Sequence, residues 1–319
     1  MIELDLDLLK TLLSIQAPSG RENNISSFII SVIPEDVFDY ELDLMGNLIV
    51  FDKEKGIDSN TLFLSAHMDE IGFVGYKTVD NRLFVFSQTK MSSESIIGKR
   101  IKCLNGISGV VQNIIDENGS ELLYIELDEK TKSEELSLPI FATFAPGFEK
   151  EKDLIRSKSL DNRIGCYILL EFMKLNVRKK LNVAFVFTTQ EELGNRGAKY
   201  LLKKYSFNHI INIDTTPVFD DKKCTSVEFG KGVAIKCCDS GSLINESIYI
   251  MISKIATECG IPFQLEIVNR GSTDLRVYCM NSSSSAGISI PCRNGHTSCE
   301  EICINDVLAA IQLLTETII

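Results

Sequence analysis

An α/β fold, built on a mostly parallel sheet flanked by helices and interrupted by a small all-β domain, is what three features of this chain predict. Apolar strand-sized runs alternate with helical periodicity after residue 149. The stretch 73–148 shows only short β-like runs punctuated by turn residues. The length, 319 residues, exceeds one ordinary domain and leaves room for an insertion.

Taken in order, Leu8 to Val32 carries helical spacing broken at Ala17-Pro18-Ser19-Gly20, where one helix ends and Ser19 is the expected N-cap of the next. Asn47–Phe51 and Thr61–Ala66 are rich in β-formers and predict strands. Leu83–Ser87, Lys99–Cys103, Gly109–Ile115 and Leu122–Leu127 predict the strands of the β-module. Beyond it, the pattern predicts helices over Asn162–Lys174, Arg196–Lys204, Leu243–Cys259 and Asn305–Thr317. Strands fall at Leu181–Thr188, His209–Ile213 and Phe263–Val268. The expected division is therefore a catalytic domain of 1–72 plus 149–319, with 73–148 inserted as a barrel-like module.

Composition narrows the function. Lys and Arg number 33 against 44 Asp and Glu, a formal charge of −11. Such a balance argues against nucleic acid or an anionic membrane as partner, since both reward basic residues. No apolar run approaches the roughly 20 residues of a membrane span. Ten cysteines without a secretory leader predict reduced thiols and a cytoplasmic protein.

Open α/β sheets place their sites at the carboxyl ends of strands. Five such places here carry acids or histidines: Ala66-His67-Met68-Asp69-Glu70, Ser159-Leu160-Asp161, Thr188 to Gly194 with Glu191 and Glu192, Ile213-Asp214, and Cys292 to His296. Each alone has an ordinary explanation, Asp161 as a helix cap and Glu191-Glu192 as a solvated loop. Together, two histidines and several carboxylates suit a pair of divalent ions sharing a bridging carboxylate. Asp69, two residues from His67, suits a partner that orients the imidazole. A compact structural zinc site of Cys292, His296, Cys299 and Cys303 is the competing use of the C-terminal motif.

The segments AHMDEIGFVG (66–75), KSLDNRIGCYILLE (158–171), TTQEELGNRGA (188–198), INIDTTP (211–217), FGKGVAI (229–235), NRGSTDL (269–275) and ISIPCRNGH (288–296) resemble, in order, the M42 metallo-aminopeptidases of glutamyl and tetrahedral aminopeptidase type. The resemblance implies a zinc-peptidase-like fold and a dinuclear, metal-dependent aminopeptidase acting on peptides, with zinc or cobalt as the two divalent ions per subunit. It implies that His67 and Asp214 hold one ion, Glu192 and His296 the other, and Asp161 both. Glu191 would be the general base and Asp69 would orient His67. The β-module would be an oligomerisation domain, in an assembly anywhere from dimer to dodecamer. After His296 this chain reads Thr297-Ser298-Cys299-Glu300, where the family pattern is H-S-P-x-E. Related dinuclear carboxypeptidases or amino-acid deacylases are the nearest alternative; a glucanase or a non-catalytic scaffold is a more distant one, and the chain has no Trp to stack a sugar.

Overall fold

The computed structural model describes residues 4–128, 136–219, 225–282 and 284–318. Its N-terminal part holds helices α1 (Leu6–Ser14) and α2 (Asn23–Val32) and strands β1 (Phe38–Leu42), β2 (Leu48–Asp52) and β3 (Leu62–His67). The next part holds β4 (Phe73–Val79), β5 (Arg82–Ser87), the single turn α3 (Ser93–Ile96), β6 (Arg100–Cys103), β7 (Ser108–Ile115), β8 (Glu121–Leu127) and β9 (Ile140–Phe144). Then follow β10 (Phe148–Glu151), β11 (Leu154–Ser157), α4 (Leu160–Lys179), β12 (Val183–Thr188), α5 (Arg196–Leu201) and β13 (His209–Pro217). The chain ends with β14 (Val233–Cys238), α6 (Glu246–Glu258), β15 (Phe263–Ile267), α7 (Leu275–Tyr278), β16 (Ser285–Arg293), β17 (Glu300–Cys303) and α8 (Ile304–Ile318).

Eleven strands form one large sheet, with the main path β1-β2-β12-β3-β13-β16-β17-β11-β10. Its centre, β12-β3-β13-β16, is parallel, while both flanks are antiparallel. Central strands of this kind are covered on both faces and read as continuous apolar runs. In β12, Val183, Phe185 and Phe187 face a core completed by α1, α4 and α8. Ala184 and Val186 face the opposite core, with Ala198, Leu201 and Tyr278 from α5 and α7. The parallel register sets Thr188 beside His67. It also carries β13 past β3, so Asp214 follows the paired stretch of the same sheet.

Strands β4-β5-β8-β7-β6-β9 close into a separate barrel around Phe73, Leu83, Ile101, Val111, Ile125 and Phe144. Closure removes the exposed edges that a small open sheet would present. The barrel leans on the start of the chain, where Gln16 Nε2 donates to Thr143 Oγ1 at 3.1 Å and Arg21 stacks on Phe141 at 4.0 Å.

Two local expectations change. Ser19 does not cap α2; Glu22 occupies that position without a side-chain cap, and the Ser19 hydroxyl donates to Asp69 instead. Ser19 lies three residues before the cap position, and its hydroxyl proton goes to a buried carboxylate. Residues 300–303, for which the sequence pattern predicts no strand, form β17, paired between β16 and β11.

Candidate metal centre

The five strand-end places converge in one cleft of about 1040 Å³, lined by His67, Asp161, Glu191, Glu192, Asp214 and His296 among others. His67 ends β3, Asp214 lies in β13, and Glu191 and Glu192 follow β12. Asp161 opens α4, but with extended backbone, so it projects from the helix start rather than capping it. Its peptide bond to Asn162 is cis. His296 sits in the loop after β16 at φ 61°, the left-handed region that costs a non-glycine residue energy.

Three groups of side chains have the geometry of an ion's donors, and two of them share Asp161. Of these two, the first is His67, Asp161 and Asp214; the second is Asp161, Glu192 and His296. His67 Nε2 lies 3.2 Å from Asp161 Oδ1 and 3.7 Å from Asp214 Oδ1. His296 Nε2 lies 3.5 Å from Asp161 Oδ2 and 3.2 Å from Glu192 Oε2. Donors about 2.1 Å from a tetrahedral ion are spaced about 3.4 Å apart, which these separations match. Asp161 turns one oxygen to each group. Glu192 Oε1 is buried with no hydrogen-bond partner, as an atom awaiting a cation would be. The nitrogen and oxygen donors suit zinc and similar divalent ions, so the residues fit such a metal.

The charges around the cleft agree with that fit. Burial, with Asp161's charge adding to it, pushes the Asp214 carboxyl up to about 8. Burial also raises Glu191 well above the ordinary carboxylate range. Burial opposes the His67 imidazolium, yet Asp214, Asp161 and Asp69 hold its pKa well above the usual histidine value. Glu192 is the largest influence pushing His296 up to about 12. These are the marks of too many anions for two histidines, a deficit that divalent cations offset.

A shell of buried groups holds these side chains. Asp69 Oδ1 lies 3.3 Å from His67 Nδ1 and accepts the Glu191 amide at 3.0 Å. Its Oδ2 accepts Ser19 Oγ at 2.6 Å and the Glu192 amide at 3.3 Å. Glu22 Oε1 accepts the Gln190 amide, and Asn47 Oδ1 accepts that of Thr189. Gly197 is required here, because a Cβ would come within 2.3 Å of Asn47 Oδ1. Behind β3, the buried ion pair Lys158–Glu70 at 2.5 Å and the Arg163 guanidinium tie its end to α1 and α4. Glu300 ties together two donors of the second group: Oε2 accepts the Asp161 amide at 2.9 Å and Oε1 the His296 amide at 3.0 Å.

Sequence reasoning did not assign Glu22, Asn195, Asp274 or Glu300. Two signals existed: Asn195 and Asp274 lie inside GNRGA and STDL, and Glu300 ends the altered motif after His296. The cysteine alternative finds no support among the described residues. Cys299 is exposed while Cys292 and Cys303 are buried, and no cysteine joins a metal-capable group. His209 stands exposed at the start of β13 and bonds Ser284 Oγ, away from the cleft.

The profile of the M42 glutamyl aminopeptidase family matches residues 46–313. A protein of Acetivibrio thermocellus carrying an aminopeptidase assignment is 32% identical over 98% of this chain and 98% of its own. Among solved structures, an aminopeptidase of the archaeon Desulfurococcus kamchatkensis superposes with TM-score 0.87 at 26% identity, covering 98% of this chain and 93% of that one. The Pyrococcus horikoshii TET1 peptidase, which can assemble into a tetrahedron or a large octahedral shell, superposes with TM-score 0.86 at 26% identity over 98% of both chains. With the profile spanning most of the sequence and the fold shared end to end, the chain belongs to the M42 family of aminopeptidases.

Proposed function

We propose that this chain removes single N-terminal residues from peptides with two divalent ions, zinc or cobalt, in the sites described above. His67, Asp161 and Asp214 would hold one and Asp161, Glu192 and His296 the other. The observation that carries this reading is Asp161, whose two carboxylate oxygens face the two donor groups separately. Ions held there supply Lewis acidity toward the scissile carbonyl and water activation near neutral pH.

The protein's own residues do the rest. Glu191 lies in the cleft outside the two donor groups that Asp161 links, and unlike Asp239 and Glu266 it is not paired with Lys236. Its Oε2 lies 4.0 Å from His67 Nε2, at the edge of the first group. That position suits a general base that takes the proton of the attacking water and returns it to the leaving amine. Asp69 holds the His67 ring and, through two backbone amides, the turn carrying Glu191 and Glu192. The excess of carboxylates also favours a cationic α-ammonium group, which limits cleavage to a free N-terminus.

The closed barrel is proposed as the oligomerisation element, since its exposed Tyr76, Phe86 and Ile115 offer apolar surface for a second copy. A cytoplasmic location belongs to the same proposal and rests on the free state of the nine described cysteines. Among the described residues, no helix is long and apolar enough to cross a membrane.

Peptide hydrolysis before and after chelation, on substrates with free and acetylated α-amines, tests the reading. Chelation is expected to abolish release of the N-terminal residue, and acetylation to block it. Cleavage of the acetylated peptide at comparable rates would move the assignment to a deacylase or carboxypeptidase.

A further inference from the structure

Glu191 is steered by a neutral side chain. Asn195 Nδ2 lies 2.6 Å from Glu191 Oε1 and 3.2 Å from Asp274 Oδ1. Ionised carboxylates only accept, so both protons of the amide nitrogen are spent between them. Asp274 is anchored in turn by Thr188 Oγ1 at 2.5 Å, at the end of β12. Asn195 is 4% exposed and occupies the left-handed region at φ 58°. It stands at the N-cap of α5, where an Asn side chain ordinarily accepts a helix amide. Here it makes no cap bond and turns into the cleft. The capping opportunity is given up for the contact with Glu191.

A second observation says what the contact prevents. His67, Glu191 and Glu192 form a third group whose donor atoms lie close enough to share an ion. With Oε1 tied to Asn195, only Oε2 faces that group, 4.0 Å from His67 Nε2; a Glu191 released from Asn195 could turn both oxygens to an ion and be spent as a ligand. A carboxylate bound to a metal is a poor proton acceptor, so such ligation is harmful to a base.

We propose that Asn195 is a positioning residue, buttressed by Asp274, that holds Glu191 Oε1 so that the carboxylate serves as base and stays out of the ligand set. This rests on the reading of Glu191 as the general base. The consequence is a division of labour between adjacent glutamates: Glu192 has an unpartnered oxygen and no amide donor, whereas Glu191 has one oxygen occupied.

Steady-state kinetics of Asn195→Gly, Asn195→Asp and Glu191→Gln, each saturated with cobalt, test this. Glycine keeps the left-handed backbone and deletes the donor; aspartate keeps the shape and replaces the donor with an acceptor. Both Asn195 variants are expected to lose kcat about 10- to 100-fold with KM within about twofold. Both should still bind two ions, with a shift in the visible cobalt spectrum as Glu191 joins the ligands. In the Glu191→Gln background, Asn195→Gly should cost less than about twofold further, because its effect passes through Glu191. Wild-type kcat in both Asn195 variants, or the same fold-loss in both backgrounds, would overturn the proposal. An active Glu191→Gln enzyme would instead overturn the base assignment itself.

Discussion

The two halves of the candidate metal centre are built differently. His67 ends a central parallel strand and is 2% exposed, with Asp69 two residues away and the Lys158–Glu70–Arg163 network behind it. His296 sits in a loop, its side chain 39% exposed and its backbone in a left-handed conformation, held by Glu300. Sheet register places the first donor, because moving it would unpair buried strands. A hydrogen bond from its own backbone amide to one carboxylate places the second. One half of the centre is therefore a property of the fold and the other a property of a few side chains.

The largest expected effect separates the halves directly. His67→Ala should remove high-affinity binding of both ions, since it also unpins Asp161, and should lower the melting temperature of the chelated protein. His296→Ala should weaken one ion only and leave that melting temperature within about 2 °C, because a half-exposed pair is screened by solvent. Metal titration and calorimetry of the two variants check this, and equal losses would erase the distinction.

Glu300→Gln is the next test. A glutamine can accept from one of the two amides but must present its own N–H groups to the other. Metal affinity is expected to fall about 10- to 100-fold, the usual cost of losing an outer partner of a ligand, with the His296-side ion the more affected. Competition with a chromophoric chelator would show it, and two equally weakened ions would mean that Glu300 acts through Asp161 alone.

The smallest effect belongs to Glu22. Burial first, then the Asp69 charge, raises its carboxyl to about 7. A folded pKa above the unfolded value means a contribution fully present below the unfolded pKa of about 4.5, lost as pH rises through about 7. Glu22→Gln should therefore raise the stability of the chelated protein at pH 8 by on the order of 1–3 kcal/mol, with no gain below about pH 4.5. Denaturant titrations at the two pH values measure the difference.

The same contrast governs what was legible in the sequence. Strands such as β12 read clearly because a strand buried on both faces must be apolar throughout, and their carboxyl ends then point to His67 and Asp214. Strand β17 did not, since four residues at the edge of a helix carry no period. The antiparallel edge strand β1, Phe-Asp-Tyr-Glu-Leu, carries two charges in five residues and resembles a loop. The shell was least legible. Asn195 and Asp274 lie 79 positions apart, and Glu300 and Asp161 lie 139 apart, so only the folded chain shows them to be partners. Motifs mark the ligands, whereas the hydrogen bonds across the cleft exist only between segments that folding brings together.

Anomalous diffraction from crystals grown with zinc, recorded on both sides of the metal edge, tests the central claim most directly. Two peaks are expected, one among His67, Asp161 and Asp214 and one among Asp161, Glu192 and His296, with Glu191 bound to neither. A single peak, a peak at Cys292 and Cys303, or an ion ligated by Glu191 would contradict the account.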